Sequence, residues 1–214
     1  MQKQKSRLWI LTAGIVTAVF VVFTVVVASV DVQSDGVQQI GCATVNFWWR
    51  DLIGVSNVWH LISDIIVGLT LVALASFLVW QLVLICRARS WRALTLPWWV
   101  FDIVLVVLGL CYLFFQIVVV NCRPILIGNV AETSYPSSHI LLIITLWPAI
   151  ITTLKRTLSQ RVWCRVITVL GIAMMTIGVV ARTLCGYHWL TDIIGGILLG
   201  ATLTCWHQSA IQRD

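Results

Sequence analysis

Between Leu8 and Val30 the chain runs for 23 residues without a charged side chain. Wound as a helix at about 1.5 Å per residue, that stretch spans about 34 Å, enough to cross a hydrocarbon core of about 30 Å. A secretory signal has an apolar region of only about 7–15 residues, so the stretch reads as a retained membrane helix, with cleavage near Ala28 as the alternative. Further apolar runs follow at about 59–85, 97–120, 137–154, 163–181 and 189–206. In lipid every backbone amide must find its partner within the chain, which leaves helices or a closed barrel. The runs are too long for barrel strands and do not alternate. The expected fold is therefore all-α: a polytopic membrane protein, a six-transmembrane-helix bundle, with residues 1–214 forming one membrane-embedded domain. Hydrophobic residues make up 60% of the chain and charged ones 10%, against roughly 25% charged in a soluble domain. That balance excludes disorder, a nucleic-acid-binding module and a small disulfide scaffold.

The net charge of +6 is mainly a statement about topology. With the N-terminus inside, Lys3, Lys5, Arg7, Arg87, Arg89, Arg92, Lys155, Arg156, Arg161, Arg165 and Arg213 fall on the inner side, eleven of the fourteen basic residues. Only Arg50, Arg123 and Arg182 fall outside. The bias predicts cytoplasmic N- and C-termini. The tryptophans suggest two interfacial belts: Trp48, Trp49, Trp59 and Trp189 outside, and Trp91, Trp98, Trp99, Trp163 and Trp206 inside. The stretch Asn46 to Asn57 reads as a short interfacial helix. Of seven cysteines, Cys42, Cys122 and Cys185 share the outer side and could pair, although small buried apolar roles are the simpler reading. No CxxC occurs, so no metal site is expected.

Charge placement alone puts Arg123, His139, Arg182 and His188 at one membrane face. Ionisable groups at that depth are functional candidates. Their chemistry suits phosphoryl transfer. Two guanidinium groups can clamp phosphate oxygens. Pro136-Ser137-Ser138 should open the fourth span, presenting helix-terminal amides and hydroxyls to an anion. Two histidines permit one nucleophile and one general acid. His188 and Asp192 are four apart, which on a helix places them on one face, so the carboxylate can orient the imidazole.

The combination Arg123-Pro124, Pro136-Ser137-Ser138-His139 and Arg182 with His188 and Asp192 resembles the type 2 phosphatidic acid phosphatase superfamily. The three family motifs are Lys-x6-Arg-Pro, Pro-Ser-Gly-His and Ser-Arg-x5-His-x3-Asp, and the resemblance covers residues 116 to 192. It implies that His188 is the nucleophile that forms a phosphohistidine, Asp192 its partner and His139 the acid for the leaving oxygen. It also implies phosphate binding by Arg123, Ser137, Ser138 and Arg182, and no metal or other cofactor. Three positions depart from the motifs: Gln116 replaces the lysine, Ser138 the glycine and Ala181 the serine. The first removes a charge-assisted hydrogen bond worth roughly 1.5–3 kcal/mol, about one to two decades in rate. Gln116 can still donate to a phosphate and is kept among the substrate-binding residues.

The resemblance implies a metal-independent hydrolase for a lipid phosphate or pyrophosphate, of the undecaprenyl pyrophosphate, phosphatidylglycerophosphate or phosphatidic acid class. It would act at the extracytoplasmic face of a bacterial plasma membrane. The alternative is a weakened lipid-phosphate-binding or carrier protein, on account of Gln116. The expected partners are the lipid substrate and membrane lipids, without nucleic acid. Gly196 and Gly200 form a Gly-x3-Gly for close packing within the bundle, with a homodimer as its other use. His60 and Asp64 make a second His-x3-Asp, without an arginine six residues upstream; the pair reads as interfacial or as outlying support for the site. Asp102 reads as structural, His207 as solvated near the inner end, and Pro148 as a kink in the fourth span.

Overall fold

The computed structural model describes residues 2–34, 38–125, 132–158 and 160–212. The chain forms helices α1 (Gln2–Ser29), α2 (Ala43–Ile53), α3 (Asn57–Ala88), α4 (Leu96–Ile117), α5 (Ser138–Thr157), α6 (Arg161–Leu184) and α7 (Leu190–Ile211). A two-residue ladder, β1 (Gln33–Ser34) with β2 (Gln39–Ile40), joins α1 to α2. Six helices, all but α2, are long and apolar enough to cross a membrane. Arg213, assigned above to the inner side, lies outside the described residues.

The helix boundaries follow local chemistry. Ser56 caps α3 by accepting from the Trp59 amide at 3.5 Å. Pro97 stands in the first turn of α4, where its missing N–H costs nothing. Lys155 and Arg156 close α5, favourably placed against the negative end of its dipole. Pro148 lies inside α5, which continues through it. The interfacial helix runs over Ala43–Ile53, earlier than expected, and ends at Gly54, whose φ of 67° terminates it.

Burial separates the spans into two kinds. In α5 and α7 the buried share of the spanning window is 56% and 61%, against 17–28% in the other four. These two are also the least apolar spans, because protein rather than lipid surrounds them. The outer helices turn large apolar side chains outward, as Leu69, Val72 and Val79 do on α3. The α5–α7 contact depends on absent side chains. A Cβ on Gly196 would stand 2.9 Å from the Ser137 carbonyl, and one on Gly200 2.8 Å from Ile144. The Gly-x3-Gly thus serves packing within the bundle.

Polar side chains tie the outer helices to this centre. Trp147 Nε1 on α5 donates to Thr70 Oγ1 on α3 at 3.1 Å. Trp206 Nε1 on α7 donates to Thr17 Oγ1 on α1 at 3.1 Å, and the Tyr135 hydroxyl meets Thr24 of α1 at 2.7 Å. Asp102 accepts from Gln81 Nε2 at 2.6 Å, a structural α3–α4 link as expected.

Three residues differ from their expected surroundings. Trp189 is wholly buried rather than interfacial, and its Nε1 donates to the Cys122 carbonyl at 2.6 Å. Trp98 is buried too, stacked on Phe77 at 4.6 Å. His207 is not solvated: it is fully buried, and neither ring nitrogen has a hydrogen-bond partner among the described residues. Depth along a membrane normal says nothing about whether a residue faces the bundle axis, and all three face inward. Cys42 and Cys185 are free thiols, so neither joins an outer-side disulfide.

Candidate active site

Four chain segments meet at one end of the bundle: the first turns of α3, the loop after α4 with the start of α5, the end of α6, and the loop that leads into α7. Gly186, at φ 74°, makes the turn out of α6, and a side chain there would collide with the Gly54 carbonyl. The Ser56 amide donates to the Cys185 carbonyl at 3.1 Å, fastening this loop to the start of α3. His188 therefore precedes α7 rather than lying on it. Its contact with Asp192 comes from a helix cap, not from a shared helix face. Asp192 turns back so that Oδ2 accepts from the Trp189 amide at 3.1 Å and meets His188 Nδ1 at 3.3 Å.

The other ring nitrogen, Nε2, lies 2.8 Å from Arg182 Nη2. A guanidinium can only donate, so Nε2 must be the acceptor. The proton then sits on Nδ1, facing the carboxylate. This assignment of the tautomer follows from the donor chemistry alone. His188 is held neutral, its pKa well below the ordinary histidine value, by burial first and then by the charges of Arg182 and Arg123 and by His139. Arg182 is 1% exposed, and its Nε and Nη1 have no hydrogen-bond acceptor among the described residues. Buried donors of that kind are costly unless an anion meets them.

The start of α7 is anchored by buried amides. Asn46 Nδ2 donates to Thr191 Oγ1 at 2.9 Å, and the Thr191 amide donates to Asn46 Oδ1 at 3.2 Å. Asn121 Nδ2 reaches the same hydroxyl at 3.2 Å, while its Oδ1 accepts from the Gly41 amide at 2.9 Å. The Ser137 amide donates to the Asp192 carbonyl at 3.0 Å, which brings the start of α5 against α7. Neither asparagine was singled out from sequence for this bracing; buried amides carry no spacing signal.

A cavity of about 350 Å³ opens beside these groups, lined by Gln116, Arg123, Glu132, Ser138 and His188 among others. Arg123 Nε pairs there with Glu132 at 3.1 Å. Gln116 Oε1 accepts from the Thr133 hydroxyl at 3.0 Å. Ser137 is placed differently from expectation. It is the N-cap residue of α5, fully buried, its hydroxyl unpartnered among the described residues and outside the cavity lining. Ser138 does line the cavity. A second, apolar groove of about 430 Å³ runs between α3, α4 and α5 past Leu71, Leu105 and Leu142. It reaches His139 and shares Tyr112, Ser138 and Leu141 with the first cavity.

His139 itself meets a residue from outside the motifs. Its Nε2 lies 3.2 Å from Asp64 Oδ1. Asp64 also pairs with His60 at 3.0 Å and lies 3.9 Å from Arg182 Nη1. The second His-x3-Asp is thus in contact with the candidate site. Its sequence signal was an acidic residue at the edge of an apolar run. Among the described residues no three His, Cys, Asp or Glu side chains are grouped to hold a metal ion.

Six membrane-length helices with an arginine- and histidine-lined pocket at one end define a polytopic membrane protein. The PAP2 superfamily model matches residues 116–213. The crystal structure of the first transmembrane PAP2 type phosphatidylglycerolphosphate phosphatase from Bacillus subtilis superposes with a TM-score of 0.58, at 16% identity, over 94% of this chain and 96% of that one. No curated relative matches by sequence. The family match thus covers the part of the chain from the end of α4 to α7, and the structural likeness, at 16% identity, extends the shared fold to nearly the whole chain.

Proposed function

We propose that this protein hydrolyses a lipid phosphate monoester or pyrophosphate at the extracytoplasmic face of a bacterial plasma membrane, through a phosphohistidine on His188. The carrying observation is the hydrogen-bond chain Arg182 Nη2–His188–Asp192. It leaves the lone pair of Nε2 as the nucleophile and the proton on Nδ1 against a carboxylate. Nε2 attacks phosphorus, and the bond to the leaving oxygen breaks as His139 supplies its proton. Water, deprotonated by His139, then attacks the phosphohistidine and releases inorganic phosphate. Arg182 and Arg123 face the charge on the phosphoryl oxygens, joined by Ser138 and Gln116, while Ser137 shapes the start of α5. Asp192 holds the imidazole through both steps.

The two neighbouring cavities, which share Tyr112, Ser138 and Leu141, support a lipid substrate. The polar one would take the phosphate, and the apolar groove would receive an acyl or prenyl chain arriving sideways from the bilayer. The excess of basic residues on the opposite side supports the outward orientation of the site and cytoplasmic termini. The structural neighbour is a phosphatidylglycerolphosphate phosphatase, which puts that lipid first in the test, ahead of phosphatidic acid and undecaprenyl pyrophosphate.

The test is phosphate release by the purified protein from these three lipids, with His188→Ala as control. Release should survive EDTA, stop with vanadate and be lost in the variant. Labelled lipid should leave acid-labile, base-stable label on wild-type protein only. Lipid-phosphate binding without release would instead identify a binding or carrier protein.

A further inference from the structure

The three family motifs lie between positions 116 and 192, yet the contact that governs His139 comes from α3, 75 residues away in sequence. Asp64 stands between two imidazoles. Its Oδ1 faces His139 Nε2 at 3.2 Å, and its Oδ2 faces His60 Nδ1 at 3.0 Å. His60 is itself fixed, packed edge-on against Tyr187 with ring centroids 3.9 Å apart. The Tyr187 hydroxyl in turn donates to Asn57 Oδ1 at 3.1 Å. The first turns of α3 are thus braced against the loop that carries His188.

We propose that Asp64, oriented by His60, is the positioning residue of the acid His139, repeating for the acid what Asp192 does for the nucleophile. The proposal rests on the phosphohistidine reading above. An acid must carry a proton when the leaving oxygen departs. Two guanidinium groups face His139 and oppose that charge, Arg182 from α6 and Arg123 from the loop after α4, while the imidazole of His188 ahead of α7 is neutral. Tyr112 of α4 lines the same groove and contributes no charge. Asp64 is the carboxylate in contact with the ring, and it supplies the opposite charge. A carboxylate on one ring nitrogen also fixes the ring plane and frees the other nitrogen to face the leaving oxygen. The two pairs differ in setting. Asp192 is fully buried, as a nucleophile shielded from water requires, whereas the Asp64 side chain is 47% exposed, open to proton exchange.

The test uses two phosphate esters on the full-length protein. A lipid phosphate has a poor alkoxide leaving group and needs an acid. A p-nitrophenyl phosphate leaves as a stable phenolate and does not. Asp64→Asn should lower kcat on the lipid by roughly 10–100-fold, the scale of general acid catalysis, with KM little changed. The pre-steady-state burst of p-nitrophenolate, which reports the first step alone and not the later attack of water, should keep its rate within about threefold. The alkaline limb of the lipid kcat profile should move to lower pH. Asp64→Glu should recover part of the loss, and His60→Gln should show the same pattern more weakly. Equal losses in lipid turnover and in the p-nitrophenolate burst, or an unshifted profile in both Asp64→Asn and His60→Gln, would overturn the proposal. Failure of the underlying reading is separate: active protein whose His188→Ala variant still releases phosphate, or which takes no label on histidine.

Discussion

Asp192→Asn tests the logic of the nucleophile most directly. In the folded protein Oδ2 of Asp192 accepts from both His188 Nδ1 and the Trp189 amide, while Oδ1 is buried with no close hydrogen-bond partner among the described residues. An asparagine can keep this arrangement only by placing its carbonyl at the Oδ2 position. The reverse orientation would face its NH2 with two donors, so it is rejected. The tautomer of His188 is therefore retained, and Arg182 still donates to Nε2. What is lost is the negative charge opposite an imidazole that becomes positive as it bonds phosphorus. A hydrogen bond to a charged group contributes roughly 1.5–3 kcal/mol, so phosphorylation should slow about 10–100-fold. The new NH2 group, buried at the Oδ1 position, should cost about 1–3 kcal/mol of stability in addition. The assay is rapid-quench capture of phosphohistidine from labelled lipid phosphate, with thermal unfolding in detergent alongside. An unchanged phosphorylation rate would refute the charge argument. A loss beyond about ten-thousandfold would show that the tautomer had flipped, because a misplaced proton costs that much in the Ser-His-Asp triads.

Other outcomes follow from residues described above. Gln116→Lys adds a cation to a cavity that already holds Arg123 and His188, at the cost of the Thr133 contact. The rate should change by about 10–100-fold, or the preference among lipid phosphates should shift, as read by phosphate release across the lipid panel. His207→Leu removes two unpartnered ring nitrogens from a fully buried position and should raise stability by about 1–3 kcal/mol in detergent unfolding. For His188 the folded-state pKa is depressed, so between that value and the unfolded value near 6.5 the unfolded chain binds more protons. Its contribution is flat above about pH 6.5 and turns destabilising below it, so the melting temperature of His188→Gln should fall less on acidification from pH 7 to 5 than that of the wild type.

The sequence made much of this site legible. Arg123, His139, Arg182, His188 and Asp192 stand at spacings that survive any detail of loop geometry, and charge placement alone brought four of them to one face. The small residues Gly196 and Gly200 announced close packing within the bundle, and the structure adds that the partner is α5. Other features were hidden for physical reasons. The i,i+4 rule was applied across a helix start, so His188 was set on a helix that it only precedes. Trp189 and His207 were judged by depth, but burial depends on which side of a helix faces the protein. Asp64 looked like a weaker copy of the motif because its partner, His139, belongs to another helix. No local pattern reports a pairing between helices.

The bond between Arg182 and His188 carries one more consequence. In the proposed mechanism the lone pair that attacks phosphorus is met at rest by a guanidinium, and that donor must move before Nε2 can react. Anionic oxygens are the natural acceptors to draw the guanidinium away and uncover it. Recognition and arming are then a single event.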